Sequence, residues 1–192
     1  MDVVFFFNSI LLGVGLAMDA FSVSLANGLN EPRMSLRRAC AVAGTFALFQ
    51  FLMPLLGWFC VHALVERFTA LERFVPWVAL ALLLFIGGSM LRDGLSAGGA
   101  AEEPAGVGMA ALLLQGVATS IDALSVGFTI AAYDAAAAVT AAAIIAVVTF
   151  ALCMGGLKLG RAAGARLGGK ASILGGAILI CIGLEIWLKG VL

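Results

Sequence analysis

The sequence predicts an all-α integral membrane protein: six transmembrane helices arranged as two inverted three-helix repeats. Three observations lead there. The 192-residue chain is 63% hydrophobic and only 11% charged, whereas an ordinary soluble domain is roughly 25% charged. So short a chain leaves too much surface exposed to hide that much apolar area from water. Second, the apolar residues fall in six runs, each near the roughly 20 residues that a helix needs to cross the hydrocarbon core. Third, landmarks of the first half return in the second. The formal net charge is zero, so there is no basic field to draw nucleic acid.

The six runs are residues 5–29, 39–64, 74–95, 107–132, 135–157 and 172–189. The first has no positive leader before it and is predicted to be a retained helix rather than a cleaved signal. NEPRMSLRR separates it from the second run, and ERFTALERF separates the second from the third. RDGLSAGGAAEEPAG, at 92–106, is the longest and most polar break. YDA makes a tight turn between the fourth and fifth runs, and KLGRAAGARLGGK separates the last two. Continuous apolar runs argue for helices, because barrel strands alternate every second residue. Trp58, Trp77, Tyr133 and Trp187 stand near the proposed ends, where amphipathic rings favour the headgroup zone. The four cysteines are scattered singly and read as apolar filler, not as paired thiolates.

Orientation follows from Lys and Arg. Eight of the eleven fall in the first, third and fifth loops (Arg33, Arg37, Arg38, Arg92, Lys158, Arg161, Arg166, Lys170). Positive charge stays cytoplasmic, so both termini are expected outside.

GVGLAMDAFSV at 13–23 matches GVATSIDALSV at 116–126, with Gly, Val, Asp, Ala, Ser and Val at one constant offset. TFAL occurs at 45–48 and again at 149–152. FIGGSMLRDG and CIGLEIWLKG close the third and sixth runs with a shared Ile-Gly and a final Gly. The chain therefore divides into a repeat over 1–95, a linker over 96–106 and a second repeat over 107–192. Three is odd, so the second copy enters the membrane from the other side. Many secondary transporters alternate access around a midplane site with this arrangement.

Asp19 and Asp122 lie near the middle of the first and fourth runs. An ionised Asp there costs roughly 2.5–3.5 kcal/mol on insertion scales. No Lys, Arg or His lies at similar depth to neutralise either acid. Either the carboxylates hold protons or a cation sits between them, and a divalent ion balances both charges. Binding it would release protons. The polar groups nearby are oxygens: Ser22 and Ser24 after Asp19, Thr119 and Ser125 around Asp122, and Gln50 of the second run just before Pro54. A proline there also frees a backbone carbonyl. Hard oxygen ligands suit Mg, Ca or Mn. Met18 and Met53 would add a thioether and favour Mn, although Met in an apolar run is usually packing. Glu185 reads either as a third acid in the pathway or as an outer-interface residue beside Trp187 and Lys189. Asn27, a further pathway candidate, and Asp134 read as interfacial, Glu102 and Glu103 as solvated, and His62 as a surface residue. Gly156, Gly160, Gly164 and Gly168 recur every fourth residue. That stripe suits close helix packing or a flexible basic loop and leaves a homo-oligomer as a candidate assembly.

AMDAFSVSLANG at 17–28, ATSIDALSVG at 118–127 and MPLLGW at 53–58 resemble the bacterial manganese efflux pumps, within the lysine-exporter-type superfamily of membrane exporters. The resemblance runs over nearly the whole chain. It implies an inner-membrane exporter that relieves Mn²⁺ excess, with Asp19 and Asp122 as its essential acids. It also implies that Ser24 and Thr119-Ser120 fill the family's small polar positions. Some members carry Glu where this chain has Gln50, a departure that removes one formal negative charge from the site.

The expectation is therefore export of Mn²⁺ by alternating access, driven by proton exchange or the membrane potential, with Mn²⁺ as cargo and no cofactor. No GxxxxGK[ST] motif is present, so ATP use by this chain alone is not expected. The same scaffold exporting Cd²⁺ or a cationic amino acid is the nearest alternative. An intramembrane aspartyl protease would also use two membrane acids, but the Gly-x-Gly-Asp signature of such enzymes is missing. A structural subunit without transport would leave the two central acids unexplained.

Overall fold

A computed structural model of the chain describes residues 2–63, 107–167 and 170–191, together with isolated helical positions between 77 and 95. Most of the predicted third span and the whole 96–106 linker lie outside the described residues, as do Arg67, Arg73, Glu102 and Glu103. Among the described residues every regular element is a helix. These are α1 (Val3–Asn30), α2 (Leu36–Ala63), α3 (Met109–Thr119), α4 (Ile121–Thr129), α5 (Ala135–Leu167) and α6 (Lys170–Val191). Val3–Asn30, Leu36–Val61 and Ala135–Gly164 are each long and apolar enough to cross a membrane. α3 and α4 together make a fourth candidate, bent by 42° at the break between them. Large apolar side chains on the outside, among them Leu11, Val14 and Met18 at helical spacing on α1, are what a lipid-facing surface requires.

Two sequence expectations change here. The fourth run, expected as one span over 107–132, is two helices. The fifth helix does not stop at 157 but continues to Leu167, so most of the basic segment expected as a loop is helical. The stripe of glycines explains the continuation. Gly156, Gly160 and Gly164 face α1 so closely that added Cβ atoms would meet the carbonyls of Phe21, Leu25 and Leu29 in turn. Backbone contact with α1 holds a stretch that propensity alone would not.

These contacts also set direction. Gly13 abuts Ile145 and Val148, while Gly28 abuts Leu157, Gly160 and Arg161, so α1 and α5 run parallel. α2 runs parallel to α3–α4: Arg38 reaches the Val107 carbonyl, Phe49 covers Gly116, Gly57 meets Gly127, and Trp58 Nε1 donates to the Tyr133 carbonyl at 3.0 Å. Each parallel pair crosses on glycines. A Cβ at Gly28 would sit 3.1 Å from the Gly160 Cα, and one at Gly127 2.6 Å from the Gly57 Cα. No larger residue fits either crossing without moving backbone.

The bundle has two unlike ends. At one, the Phe5 and Tyr133 rings lie 5.5 Å apart and Trp77 meets Trp187 edge-on at 5.2 Å. At the other, Arg38 pairs with Glu31 at 2.7 Å and donates to the Val107 carbonyl, and Arg161 reaches the Pro32 carbonyl. α1 runs from the aromatic end to the basic end. The main core, with Val23, Phe46, Cys153 and Leu157, lies between α1, α2 and α5. A smaller cluster of Leu16, Ala123 and Ile145 sits at mid-height.

Candidate functional site

Gln50 is the centre of the site. α2 runs through Pro54, which removes the amide that would bond the Gln50 carbonyl, and the Gln50 side chain is fully buried. Its Nε2 donates to the Leu16 carbonyl at 3.0 Å and to the Thr119 carbonyl at 3.3 Å. Leu16 is three residues before Asp19, and Thr119 is three residues before Asp122. One carboxamide thus ties together equivalent points of the two acid-bearing segments.

The Thr119 carbonyl is available because the helix breaks there. In an unbroken helix the Ala123 amide would bond it. Here that amide donates instead to Asp122 Oδ1 at 2.9 Å. The hydroxyls before the break turn back on α3: Thr119 Oγ1 donates to the Gln115 carbonyl at 2.9 Å and Ser120 Oγ to the Gly116 carbonyl at 2.7 Å. Side-chain bonds of this kind compete with the helical ladder. The Ser120 amide then closes a tighter turn onto the Val117 carbonyl. Asp122 stands in the first turn of α4, where the helix dipole favours a negative charge.

α1 and α3–α4 run in opposite directions past one another. Phe5 meets Tyr133 at one end, and Asn27 meets Gln115 towards the other, with Gln50 between them. Asp19 and Asp122 therefore depart from the Gln50 crossing in opposite directions, each by one turn, or about 4.5 Å of helical rise. Asp19 is half-buried and lies on the basic-end side. Asp122 is exposed and lies on the aromatic-end side.

The remaining candidates divide. Ser24 is fully buried; its Oγ has no well-formed hydrogen bond, with only the Cys153 sulfur beside it. Ser22 is partly exposed and donates to the Met18 carbonyl at 3.0 Å, which leaves its lone pairs for a cation. The Thr119 hydroxyl proton is committed in the same way. Ser125 is exposed one turn beyond Asp122. Met18 is 55% exposed and points out with the apolar stripe of α1, whereas Met53 packs against the mid-height cluster. Glu185 lies on α6, with its side chain outside the described residues. Asp134 is exposed and caps α5 through the Ala137 amide at 2.7 Å.

Asn27, expected at the interface, is instead wholly enclosed by protein. Its Nδ2 donates to Gln115 Oε1 at 2.8 Å and Gln115 Nε2 returns a bond to Asn27 Oδ1 at 3.3 Å. Gln115 was not anticipated. Nor was Thr149, whose buried Oγ1 has no hydrogen-bond partner; the α1–α5 register puts it level with Leu16. Gln50 Oε1 is buried without a partner too. The sequence signal for Gln115 was polarity inside an apolar run, and for Thr149 also its place at the head of the repeated TFAL. Among the described residues no three His, Cys, Asp or Glu side chains cluster as a ready-made metal centre. The polar interior is built instead from carbonyls, amides and hydroxyls, flanked by half-buried Asp19 and exposed Asp122, a donor set suited to a hard cation.

The family model described as "Putative manganese efflux pump" matches residues 33–187. Curated proteins carrying that description are similar over nearly their full length. One from Sorangium cellulosum is 40% identical over 185 residues, covering 94% of each chain. One from Methanospirillum hungatei is 38% identical over 189 residues, covering 98% of this chain and 95% of its own. One from Ruminiclostridium cellulolyticum is 37% identical over 187 residues, covering 94% of each. No solved structure matches the chain.

Proposed function

The chain belongs to the manganese efflux pump family, and on that premise we propose that it is a multi-pass membrane exporter of Mn²⁺ working by alternating access. The observation that carries this reading is the Gln50 bridge between the carbonyls of Leu16 and Thr119. It gives the two acid-bearing segments a common crossing deep in the bundle. Asp19 and Asp122 supply the two charges that a divalent ion needs. Oxygens of Gln50, Ser22, Ser24, Thr119 and Ser125 complete the shell in one state or another. Buried oxygens without partners cost about 1–3 kcal/mol each in a dry interior. The unsatisfied Gln50 Oε1, Ser24 Oγ and Thr149 Oγ1 therefore favour a path that water or a cation enters.

The two halves work as inverted repeats in this proposal. Reciprocal packing supports it: the first helix of each half lies parallel to the second helix of the other, on a glycine crossing in both cases. Rocking one half on the other passes the ion, held between the two acids, across Gln50 from the Asp19 side to the Asp122 side. Cation-rich loops favour the cytoplasm, which would put the basic end inside and both termini outside in a bacterial inner membrane. Proton exchange at the carboxylates or the membrane potential supplies the driving force. The work is transport, with Mn²⁺ as cargo rather than cofactor.

The test is cell-associated Mn after loading, with the wild-type chain, Asp19→Ala and Asp122→Ala. Export should fail in both variants, and unchanged export in both would reject the site. Profiling sensitivity to Mn, Cd, Co and Zn separates Mn²⁺ from another cation on the same scaffold.

A further inference from the structure

A groove at the basic end, between the start of α2 and the C-terminal half of α5, has no part in the proposed cation path. Its cavity measures about 630 Å³, and its walls include Leu36 and Ala39 of α2 and Met154, Lys158 and Arg161 of α5. Polarity in it is graded by depth. α2 rises away from the basic end, so Ala39 lies about a turn deeper than Leu36. α5 descends towards that end, so Met154 lies one turn deeper than Lys158 and about two turns deeper than Arg161. The deep part is apolar, and Gly155 keeps it open, since a Cβ there would meet nothing within 4 Å. The mouth carries two cations on one helical face, at i and i+3.

Those cations are poorly neutralised. Arg161 spends one N–H on the Pro32 carbonyl at a long 3.4 Å. Lys158 is exposed and makes no ion pair or hydrogen bond with the described residues. A soluble anion would satisfy the mouth but has no use for the wall above it. An anionic phospholipid uses both: a phosphate at the cations and an acyl chain running inward. The wall is continuous with outward-facing apolar surface, with Leu36 68% and Leu159 57% exposed. Basic pockets between membrane helices on the cytoplasmic side are recurrent sites for such headgroups.

We propose that this groove seats one anionic phospholipid, its phosphate on Lys158 and Arg161 and its acyl chain along Leu36, Ala39, Met154 and Gly155. The lipid joins the start of α2 to α5, and so bridges the first and second halves of the chain at the basic end.

The experiment uses the purified full-length protein in neutral detergent, titrated with dioleoylphosphatidylglycerol, dioleoylphosphatidylcholine or inorganic phosphate. Thermal unfolding reports stabilisation, and native mass spectrometry counts retained lipids. Phosphatidylglycerol should raise the melting temperature and leave one adduct per chain, while the other two probes do neither. Lys158→Gln, at an exposed position, should bind phosphatidylglycerol about fivefold more weakly. Gly155→Leu fills the groove without changing its charge and should weaken binding as well. Equal stabilisation by phosphatidylcholine would mean ordinary lipid solvation, and equal stabilisation by phosphate a free-anion site; either overturns the proposal. So does phosphatidylglycerol binding unchanged in Lys158→Gln, whose fold does not depend on the groove being open.

Discussion

The two segments that carry the central acids share a motif and differ in construction. α1 is a single 28-residue helix with Asp19 in its interior. Its counterpart is an 11-residue helix, a break at Ser120 and a 9-residue helix with Asp122 in the first turn. In α1 the backbone is satisfied along its own length, and the Leu16 carbonyl lends Gln50 a second lone pair. At the break the Thr119 carbonyl has lost its helical donor, and Gln50 replaces it. A buried helix break is tolerated where side chains re-satisfy the freed groups, and broken helices gather at transporter sites because their ends offer partial charges. The continuous span is held by its own ladder, and the broken one depends on Gln50 for its Thr119 carbonyl.

The largest effect should come from closing a crossing. Gly127→Leu and Gly28→Leu each push a side chain into facing backbone and should destabilise by about 3 kcal/mol or more, read as loss of folded protein in size-exclusion profiles. If Gly127→Leu is the better tolerated, the α3–α4 segment is the more compliant one. Next comes Gln50→Leu, which strips the donor from two carbonyls and should cost about 2 kcal/mol in thermal unfolding. Hydrogen exchange in the same variant should rise around Thr119 and Ala123 but not around Leu16, because only Thr119 has lost its helical donor. Comparable exchange at both places would erase the distinction between the two spans.

Asn27→Leu or Gln115→Leu should each cost about 1–2 kcal/mol by orphaning the other amide. The double variant should recover part of that loss, a coupling that a double-mutant cycle measures directly. Smallest are the hydroxyls. Ser120→Ala removes a bond at the break and should shift stability by less than about 1 kcal/mol. Ser22→Ala, on the unbroken helix, should leave stability unchanged within error.

The fold was legible where charge interrupts apolar sequence. Asp19 and Asp122 stand out as the acids nearest the middle of their runs, and the spans of α1, α2 and most of α5 follow from hydropathy. The break at Thr119–Ser120 was not legible: both residues keep a helical window apolar enough, and only the competing bonds to Gln115 and Gly116 reveal the end of α3. The extension of α5 was hidden by Arg161, Arg166 and the glycines, which read as loop until α1 is seen pressed against Gly160 and Gly164. Asn27 and Gln115 sit near opposite ends of their runs, so sequence alone gives no reason to pair an expected interfacial amide with another 88 positions away. Gln50 was expected near the acids, but its two backbone acceptors follow only from the tertiary register.

The central claim is that Asp19 and Asp122 serve one cation rather than two independent ones. Titration of the purified protein with Mn²⁺, following the loss of the free-ion electron paramagnetic resonance signal, measures bound metal per chain. One ion per chain should bind, and Asp19→Asn and Asp122→Asn should each abolish its tight binding. Two ions per chain, with each single variant retaining one, would contradict the account.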